Sequence, residues 1–549
     1  MTSLGGFILC LATAVVFIMP VLRLLWTSLL SNGRFSPEAY RDILAKPATW
    51  KAAGNSLYIG LASTLGAMAL GLGLSWLVAY TDIRFTKAIW FLAFLPYILP
   101  SYSIALAWRL FCSPNGAVAV LVSRFPGAPA MPSMYSYGGI IFVHIVSAFS
   151  PVFLLMSAAL RRVPQDMEWA ARAAGLKGLS IFWRVNVPLI APSFISAAFL
   201  TFLSVIDNFG IPAILGIPAG IQVLPTYIYE QIAGLGASVF SRAAVLSLLL
   251  IAMSFLGFAA QKLLLRKPWE LEAVRPEKTV RVSLGKARTP LSGLIVFLLL
   301  FLSIIPVFSM TGTALKKAMG LPFRAGNITL NNFAFVLLSN AKSRRAMVNS
   351  LGLAAFTAAV CMVMGTALAV GLAKRKSRWP AIIEAMIQIP YSIPGIVLSL
   401  CMILFWLQPL PGVFPGVYGT VKILFIVYLT RFLVVQSKAS FSAIAGFDPG
   451  LEDAVRSSGC SFLWGWVRII LPLLLPGIIS GAVMVFIGVL TELTLSSLLW
   501  SAGAETIGTT ILNFEQAGTL KYSSALSSVV CILVILLFVL SRLPGRDNP

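Results

Sequence analysis

The sequence predicts an all-α polytopic membrane protein with about twelve transmembrane helices. Of the 549 residues, 58% are hydrophobic and 11% are charged, which leaves too little polar surface to cover a water-soluble globule of this length. The mean hydropathy is +0.92. The apolar residues are also gathered into runs of roughly 20, the length that a helix needs to cross about 30 Å of hydrocarbon.

Short polar loops separate the apolar runs. The twelve predicted spans are residues 4–30, 54–80, 88–111, 137–160, 190–215, 242–264, 291–312, 346–372, 381–407, 419–441, 474–500 and 523–541. The first run lacks a small-residue cleavage site and is long enough to cross the bilayer, so we interpret it as a retained helix. The six cysteines form no C-x-x-C pair, and we predict neither a disulfide nor a metal site from them.

The net charge of +23 comes from Lys and Arg residues in the loops between spans. This distribution favours a positive-inside topology over binding to nucleic acid. With the first span running outward, most of the basic loops and both termini are predicted to be cytoplasmic. The loop 313–345 is an exception, because it falls on the outer side although it contains six basic residues.

The second half of the chain repeats the first. Asn55-Ser56 recurs as Asn349-Ser350, and "LPYILP" at 95–100 recurs as "IPYSIP" at 389–394, both with a shift of 294 residues. Further along the shift is 284, and it places Glu168, Gly175 and Pro188 on Glu452, Gly459 and Pro472. An ordered series of matches over two registers indicates a duplication rather than chance.

We therefore predict a first repeat of six helices at 1–264, a cytoplasmic connector at 265–290 and a second repeat at 291–549. Because six is an even number, both repeats insert in the same direction. They should then be related by a pseudo-twofold axis along the membrane normal, with a translocation pathway on that axis.

Each repeat contains a charged, Ala-rich stretch that ends in prolines, at about 161–188 and 445–472. We call these stretches the first and second elbow, and predict that each is a cytoplasmic pair of short helices. Acidic residues lie in the first turn of each, where the helix dipole favours them, and Gly175 or Gly459 permits the left-handed turn that ends a helix. Two elbows predict a soluble partner with two equivalent docking clefts. The alternative is that they are capped re-entry turns.

The elbows resemble the signature loop of the permease subunits of bacterial binding-protein-dependent ABC importers. The pattern of that family is E-A-A, three residues, glycine, nine residues and I-x-L-P. In the second elbow Asp453, Ala454, Gly459, Ile469, Leu471 and Pro472 occupy these positions. In the first elbow Ala170, Ala171, Gly175 and Pro188 do so, while Trp169 replaces the acid and Glu168 stands one residue earlier. Glu168 and Glu452 complete the predicted coupling residues.

The resemblance implies a type I permease fold in the bacterial inner membrane. It also implies that each elbow inserts into one of two copies of a cytoplasmic ATPase subunit, which bind ATP and Mg, while an extracytoplasmic solute-binding protein delivers the solute. The chain has no G-x-x-x-x-G-K-[ST] motif, so we predict a transport subunit with no catalytic, cofactor or metal site of its own.

The stretch 106–116 looks most like ferric-iron permeases. Thiamine, polyamine and other small solutes remain alternatives, and an ion-coupled secondary transporter is the competing class.

Ionisable residues inside spans are costly and often mark a pathway. Asp207 and Asn208 lie in the fifth span, and Glu492 in the eleventh matches Asn208. We predict that they line the pathway or, alternatively, cap a helix break at 207–212. Four prolines are predicted to interrupt helices at similar depth in both halves, either lining the pathway or kinking for packing. These are Pro96, Pro100, Pro390 and Pro394.

Overall fold

A computed structural model describes residues 3–31, 34–114, 133–177, 179–234, 238–265, 282–319, 321, 324–374, 378–407, 416–446, 450, 455, 457 and 461–542. Helices dominate this part of the chain. Ten of the described helices are long and apolar enough to cross a membrane, and two further pairs of shorter helices pass the same test together but are sharply bent. The predicted all-α polytopic fold is therefore confirmed.

The first repeat contains twelve described α-helices. They are α1 (Ser3–Thr13), α2 (Met19–Ser28), α3 (Glu38–Leu44), α4 (Pro47–Tyr80), α5 (Thr86–Ile98), α6 (Ser101–Phe111), α7 (Tyr137–Arg161), α8 (Gln165–Ala173), α9 (Leu179–Ile181), α10 (Val187–Asp207), α11 (Leu224–Ala233) and α12 (Val239–Leu264). Shorter elements between them are the π-helical stretches Ala14–Ile18, Phe182–Asn186 and Pro212–Gly216, the 3₁₀ turn Ile217–Ala219, and an antiparallel hairpin of Leu30–Ser31 with Arg34–Phe35.

The second repeat follows the same plan within its described residues. Its helices are α13 (Arg288–Ser303), α14 (Ile305–Ala314), α15 (Asn331–Ala334), α16 (Ala341–Lys374), α17 (Trp379–Ser392), α18 (Gly395–Trp406), α19 (Val421–Ala445), α20 (Phe462–Gly465), α21 (Leu471–Leu490), α22 (Ser496–Leu499), α23 (Ile507–Gln516) and α24 (Leu520–Arg542). The π-helical stretches Phe335–Ser339 and Trp466–Ile470 and the 3₁₀ turns Gly285–Ala287 and Ala325–Asn327 complete it.

Matched elements and matched hydrogen bonds show the duplication in three dimensions. Helices α4 and α16 have 34 residues each, and α7 and α19 have 25 each. Ser56 Oγ accepts a hydrogen bond from the N–H of Leu224 at 2.8 Å, and Ser350 Oγ accepts one from Ile507 at 2.9 Å. The Asn-Ser pairs that revealed the repeat in the sequence thus make the same contact in both halves.

Each bent pair crosses the membrane once. Helices α4 and α7 run parallel, because the hydroxyl of Tyr137 at the start of α7 donates to Asn55, while Ser75 near the end of α4 donates to the carbonyl of Phe153. The chain must therefore return between them. Helices α5 and α6 make this return along α7: the ring of Trp90 lies 4.7 Å from Phe153, and that of Trp108 lies 4.6 Å from Phe142.

Both elbows lie at the same end of the molecule. Helix α13 starts beside the end of α4, where Val282 donates to the carbonyl of Tyr80, and it runs parallel to α5. The span 285–314 then crosses to the opposite end, from which α16 returns. Helix α19 runs parallel to α16, since Phe356 contacts Phe425 and Thr366 contacts Ser440. The end at which α7 and α19 terminate is the elbow end, and the opposite one is the far end.

The first helices of the two repeats are exchanged. Helix α13 packs along α5 of the first repeat, while α1 packs along α17 of the second, with the rings of Phe7 and Trp379 6.3 Å apart. The exchange also satisfies a polar group in the membrane. Pro96 cannot donate to the carbonyl of Leu92, and the hydroxyl of Ser303 donates to that carbonyl at 3.2 Å instead.

The structure corrects several predicted boundaries. The spans 88–111 and 381–407 are not straight: their halves meet at 104° and 110°. Pro96 and Pro390 lie inside α5 and α17, so the helix breaks occur at Pro100 and Pro394, which precede α6 and α18. An internal proline removes one N–H donor without ending a helix when its neighbours satisfy the freed carbonyl. The predicted spans 190–215 and 474–500 also end early, at Asp207 and Leu490.

Candidate functional site: two elbows and a cavity between the repeats

The first elbow consists of α8 and the stretch from α9 to the start of α10. Asp166 and Glu168 lie in the first turn of α8. Gly175 ends it with φ of +87°, the left-handed conformation that the sequence predicted. The N–H of Leu176 donates to the carbonyl of Ala171 at 3.0 Å, and that of Gly175 donates to Arg172 at 2.9 Å. These bonds satisfy carbonyls at the helix end, as in a Schellman motif.

The side chains of the first elbow divide between its interior and its surface. Glu168 is buried and accepts a hydrogen bond from Asn186 Nδ2 at 2.8 Å, which ties α8 to the π-helical stretch. Ala171 is also buried, whereas Ala170 and Gly175 are exposed. Pro188 stands in the first turn of α10. The carboxylate of Glu168 therefore holds the elbow together.

The first elbow exposes three large apolar side chains among charged ones. Trp169 is 56% exposed, Trp183 is 60% exposed and Met167 is 46% exposed. We call these three residues the elbow face. Large apolar side chains that the rest of the chain leaves uncovered are typical of an interaction surface.

Only part of the second elbow can be compared with the first. Glu452, Asp453, Ala454 and Gly459 lie outside the described residues. The described part contains α20, and Trp464 is exposed with the guanidinium of Arg468 5.2 Å from its ring centroid. Pro472 stands in the first turn of α21, matching Pro188 in the first repeat.

A cavity of about 970 Å³ lies between the repeats. It begins beside Pro472 and Pro476 at the elbow end of α21 and extends to Glu492 and Leu495. Twenty residues of helix span roughly 30 Å, so the cavity follows most of the membrane thickness. Side chains from α5, α10, α17, α19, α21 and α24 line it, Tyr97 and Tyr391 among them.

Three charged residues lie at the end of the cavity that is nearer the far end of the molecule. Asp207, at the end of α10, forms an ion pair with Arg431 of α19, whose Nη2 lies 2.6 Å from Oδ2. The other carboxylate oxygen of Asp207 accepts a hydrogen bond from the N–H of Gly395, the first residue of α18. Arg431 Nη1 also donates to the carbonyls of Tyr391 and Ile393, at 3.0 and 2.6 Å. One arginine and one aspartate thus hold both sides of the break between α17 and α18.

Glu492 and Asn208 occupy equivalent positions and make equivalent contacts. Glu492 accepts hydrogen bonds from the N–H groups of Leu495 and Ser496, at 2.6 and 3.1 Å. Asn208 accepts one from Ile211, three residues later, at 3.0 Å. Both therefore satisfy backbone amides where the chain resumes after α21 or α10. Glu492 also lines the cavity, as Asp207 does.

The cavity lies between the repeats, and the two repeats contribute unequally to its lining. Most of its lining comes from the second repeat, especially α21, whereas α10 contributes Ser204 and Asp207. None of the four prolines 96, 100, 390 and 394 is among its lining residues in the described part of the chain. The pathway expected on the pseudo-twofold axis therefore stays a prediction.

Sequence reasoning missed Arg431. It lies within the predicted span 419–441, so the rule that pointed to Asp207 and Glu492 would have found it. The structure gives it more partners than either acid. Among the described residues, no group of three or more His, Cys, Asp or Glu side chains could hold a metal ion.

Two repeats in the same orientation, an elbow on each at one end and a cavity between them define a two-repeat membrane permease. Residues 70–269 and 362–543 both match the family described as binding-protein-dependent transport system inner membrane component. The chain belongs to this family and contains its domain twice. It is a multi-pass permease of the ABC transporter type in which the two domains are fused.

Similar proteins include fused and single permeases. The probable ABC transporter permease protein y4fN of Sinorhizobium fredii is 25% identical over 98% of this chain and 94% of its own length. The ferric transport system permease protein FbpB of Actinobacillus pleuropneumoniae is 23% identical over 95% of this chain and 75% of its own. The spermidine/putrescine permease protein PotC of Haemophilus influenzae is 26% identical, but covers 39% of this chain and 80% of its own.

Proposed function

We propose that this chain forms the complete translocation pathway of an ATP-driven importer, with ferric iron as its cargo. The observation that most strongly supports this proposal is the presence of one elbow per repeat at the same end of a molecule whose cavity lies between the repeats. A partner with two equivalent clefts could move both elbows together and change access to that cavity.

Two copies of a cytoplasmic ATPase subunit fit the elbows. The chain has no P-loop motif, so ATP and Mg would be bound by the partner. The elbow end is then cytoplasmic, as are both termini, and an extracytoplasmic solute-binding protein would deliver cargo at the far end. The elbow face, whose Trp169 and Trp183 are left uncovered by the rest of the chain, supplies contact area that such a partner would cover.

Ferric iron is supported by a relative and by the chemistry of the cavity. The relative from Actinobacillus is named for ferric transport and matches 95% of this chain. The carboxylates of Asp207 and Glu492 and the phenols of Tyr97 and Tyr391 line one cavity, and such oxygen groups suit hard cations. Other relatives are named for polyamine and 2-aminoethylphosphonate transport, so these solutes and thiamine are the alternative cargoes.

Removal of the elbow tryptophans tests the docking surface. The double variant Trp169→Ala with Trp183→Ala should weaken binding of the ATPase subunit by about a thousandfold, because buried aromatic anchors are worth about 2 kcal/mol or more each at an interface. Trp50→Ala is a matched control, since Trp50 is also 56% exposed but lies at the start of α4, at the far end. Unchanged binding and coupled ATPase activity in the double variant would refute docking at the elbow face.

Uptake into proteoliposomes tests the cargo and the energy source. Vesicles that contain the permease, its ATPase subunit and its binding protein should take up radiolabelled ferric iron only with ATP. Thiamine and spermidine are offered in parallel. Uptake of one of these solutes, with no uptake of iron, would identify that solute as the cargo instead. Uptake that stops with an uncoupler while ATP is held constant would instead support an ion-coupled carrier.

A further inference from the structure

The cavity has one end beside the elbows and another at a charged cluster. No described lining residue lies beyond Leu495 toward the far end. Asp207, Arg431 and Glu492 stand at this limit, on the side of the cavity that is nearer the far end.

Asp207 belongs to the first repeat and bonds to residues of the second repeat at the cavity. Its carboxylate bonds both to the Arg431 guanidinium and to the first N–H of α18. A glycine at position 395 lets the start of α18 pack closely against Thr494, since a Cβ there would lie 3.0 Å from the Thr494 side chain. The charge-assisted bonds therefore connect α10 of one repeat to α18 and α19 of the other.

Arg431 makes the contact specific for one arrangement of the broken span. The same guanidinium that binds Asp207 holds the carbonyls of Tyr391 and Ile393, which lie at the bend between α17 and α18. Separation of the repeats at this point would leave Arg431 without Asp207. Both side chains are partly buried, and breaking such an ion pair by removing one partner is unfavourable unless another anion replaces it.

Glu492 is placed to be that replacement. It belongs to the second repeat, like Arg431, and lines the same cavity as Arg431 and Asp207. The duplication does not produce a second copy of this ion pair. In the first repeat Ser147 and Ser101 stand where the second has Arg431 and Gly395, and in the second repeat Thr491 stands where the first has Asp207. The contact is therefore single and asymmetric.

We infer that Asp207 and Arg431 form a latch that closes the far end of the pathway, and that it releases when the repeats move apart, with Glu492 taking over Arg431. Both are positioning residues for transport. The inference rests on the proposed transport function, since a latch is useful only if access alternates between two states that differ in free energy.

Thiol labelling from each face tests the latch without ATP or solute. Ser204 lines the cavity, so Ser204→Cys, in a background with the native cysteines replaced by Ala, reports access to it. With the latch intact, a membrane-impermeant maleimide should label this cysteine from the elbow face and only slowly from the far face. Asp207→Asn should raise labelling from the far face about tenfold, equivalent to a loss of about 1.4 kcal/mol from the closed state.

Arg431→Gln should have at least as large an effect, because it also frees the carbonyls at the bend. Arg109→Gln is the matched control: Arg109 pairs with Glu515 across the repeats, but neither residue is among those that line the cavity. Asp207→Asn keeps the shape of the side chain and an oxygen for Gly395, so it tests the charge rather than folding.

Slow far-face labelling of the Asp207→Asn protein would overturn the latch, as would an equal rise in the Arg109→Gln protein. Failure of iron uptake would contradict the proposed cargo and leave this labelling result unchanged.

Discussion

The two repeats share their packing but differ in the polar residues around the cavity. Helix lengths recur, and so does the serine that binds an amide near the far end. The residues around the charged cluster differ, however. Gly395, Arg431 and Glu492 of the second repeat line the cavity, and the equivalent residues of the first repeat are Ser101, Ser147 and Asn208. Close backbone packing thus recurs after duplication, while side chains in the cavity have diverged without disturbing it.

The largest expected effect tests the shared packing. A Cβ at Gly71 would lie 2.6 Å from Val152 and 3.0 Å from the carbonyl oxygen of Phe149. At Gly365, the equivalent position, it would lie 2.8 Å from Gln436 and 3.0 Å from a backbone nitrogen. Gly71→Leu and Gly365→Leu should each lower the free energy of unfolding by about 3 kcal/mol, through overpacking, as measured by denaturation in detergent.

Glycines on open faces of the same two helices provide the controls. A Cβ at Gly73 or at Gly352 would have no other atom within 4 Å, so Gly73→Leu and Gly352→Leu should change stability by less than about 0.5 kcal/mol. A strong effect in one repeat and none in the other would show that the close parallel packing is not shared.

A smaller effect should distinguish the first elbow from the second. Asn186, which donates to Glu168, corresponds to Ile470 in the second repeat. Asn186→Ile leaves a buried carboxylate with one bond fewer, which costs about 1–3 kcal/mol. Amide hydrogen exchange in residues 165–173 should therefore become about tenfold faster or more.

The neighbouring Arg184 is exposed, so Arg184→Ala should leave exchange in this helix unchanged. If amide exchange in residues 165–173 were as slow in the Asn186→Ile protein as in the unaltered protein, the bond to Glu168 would not stabilise the first elbow. The two elbows would then be held in the same way.

The matched serines should contribute equally. Ser56→Ala and Ser350→Ala each remove the acceptor for one amide, that of Leu224 or Ile507, and should each cost about 1–2 kcal/mol of stability. Thermal denaturation of both variants beside Ser180→Ala, a change at an exposed position, measures this. A difference of more than about 1 kcal/mol between the two losses would argue against equivalent roles.

The smallest effect concerns an ion pair at the far end that the first repeat lacks. Burial tends to raise the pKa of Glu505, but the hydrogen bond and charge of Arg345, with backbone hydrogen bonds, hold that pKa below its ordinary value. Gln222 occupies the equivalent position in the first repeat. Because the folded-state pKa is lowered, the pair stabilises the protein above the ordinary value of 4.5 and this contribution disappears as the pH falls through the lowered pKa.

Glu505→Gln should abolish that part of the acid dependence and lower stability at neutral pH by at most about 1 kcal/mol, because Arg345 is half exposed. Arg345→Gln should flatten the pH profile to the same extent. Measuring the free energy of unfolding between pH 3 and 7, where changes of about 1 kcal/mol are expected, checks both variants. An unaltered pH profile in either variant would exclude the ion pair as the source of the acid dependence.

The sequence alone determined the features that depend on local composition. Apolar runs long enough to cross a bilayer predicted the spans, and the shifts of 294 and 284 residues predicted two repeats. Gly175 was predicted to end a helix because only a residue without a Cβ adopts φ of +87° without strain. These features follow from residues close in the chain, or from a pattern that repeats along it.

Only the tertiary structure decided which residues meet. Asp207 bonds to Gly395 and Arg431, 188 and 224 residues away, and α1 and α13 exchange places between repeats. Hydrophobic patterning could not reveal these contacts, because lipid and protein interior are both apolar and hydrophobicity alone does not show which face of a helix meets protein. The prolines predicted the helix breaks, but the tertiary structure decided what satisfies the exposed backbone: before Pro394, Arg431 binds the carbonyls of Tyr391 and Ile393.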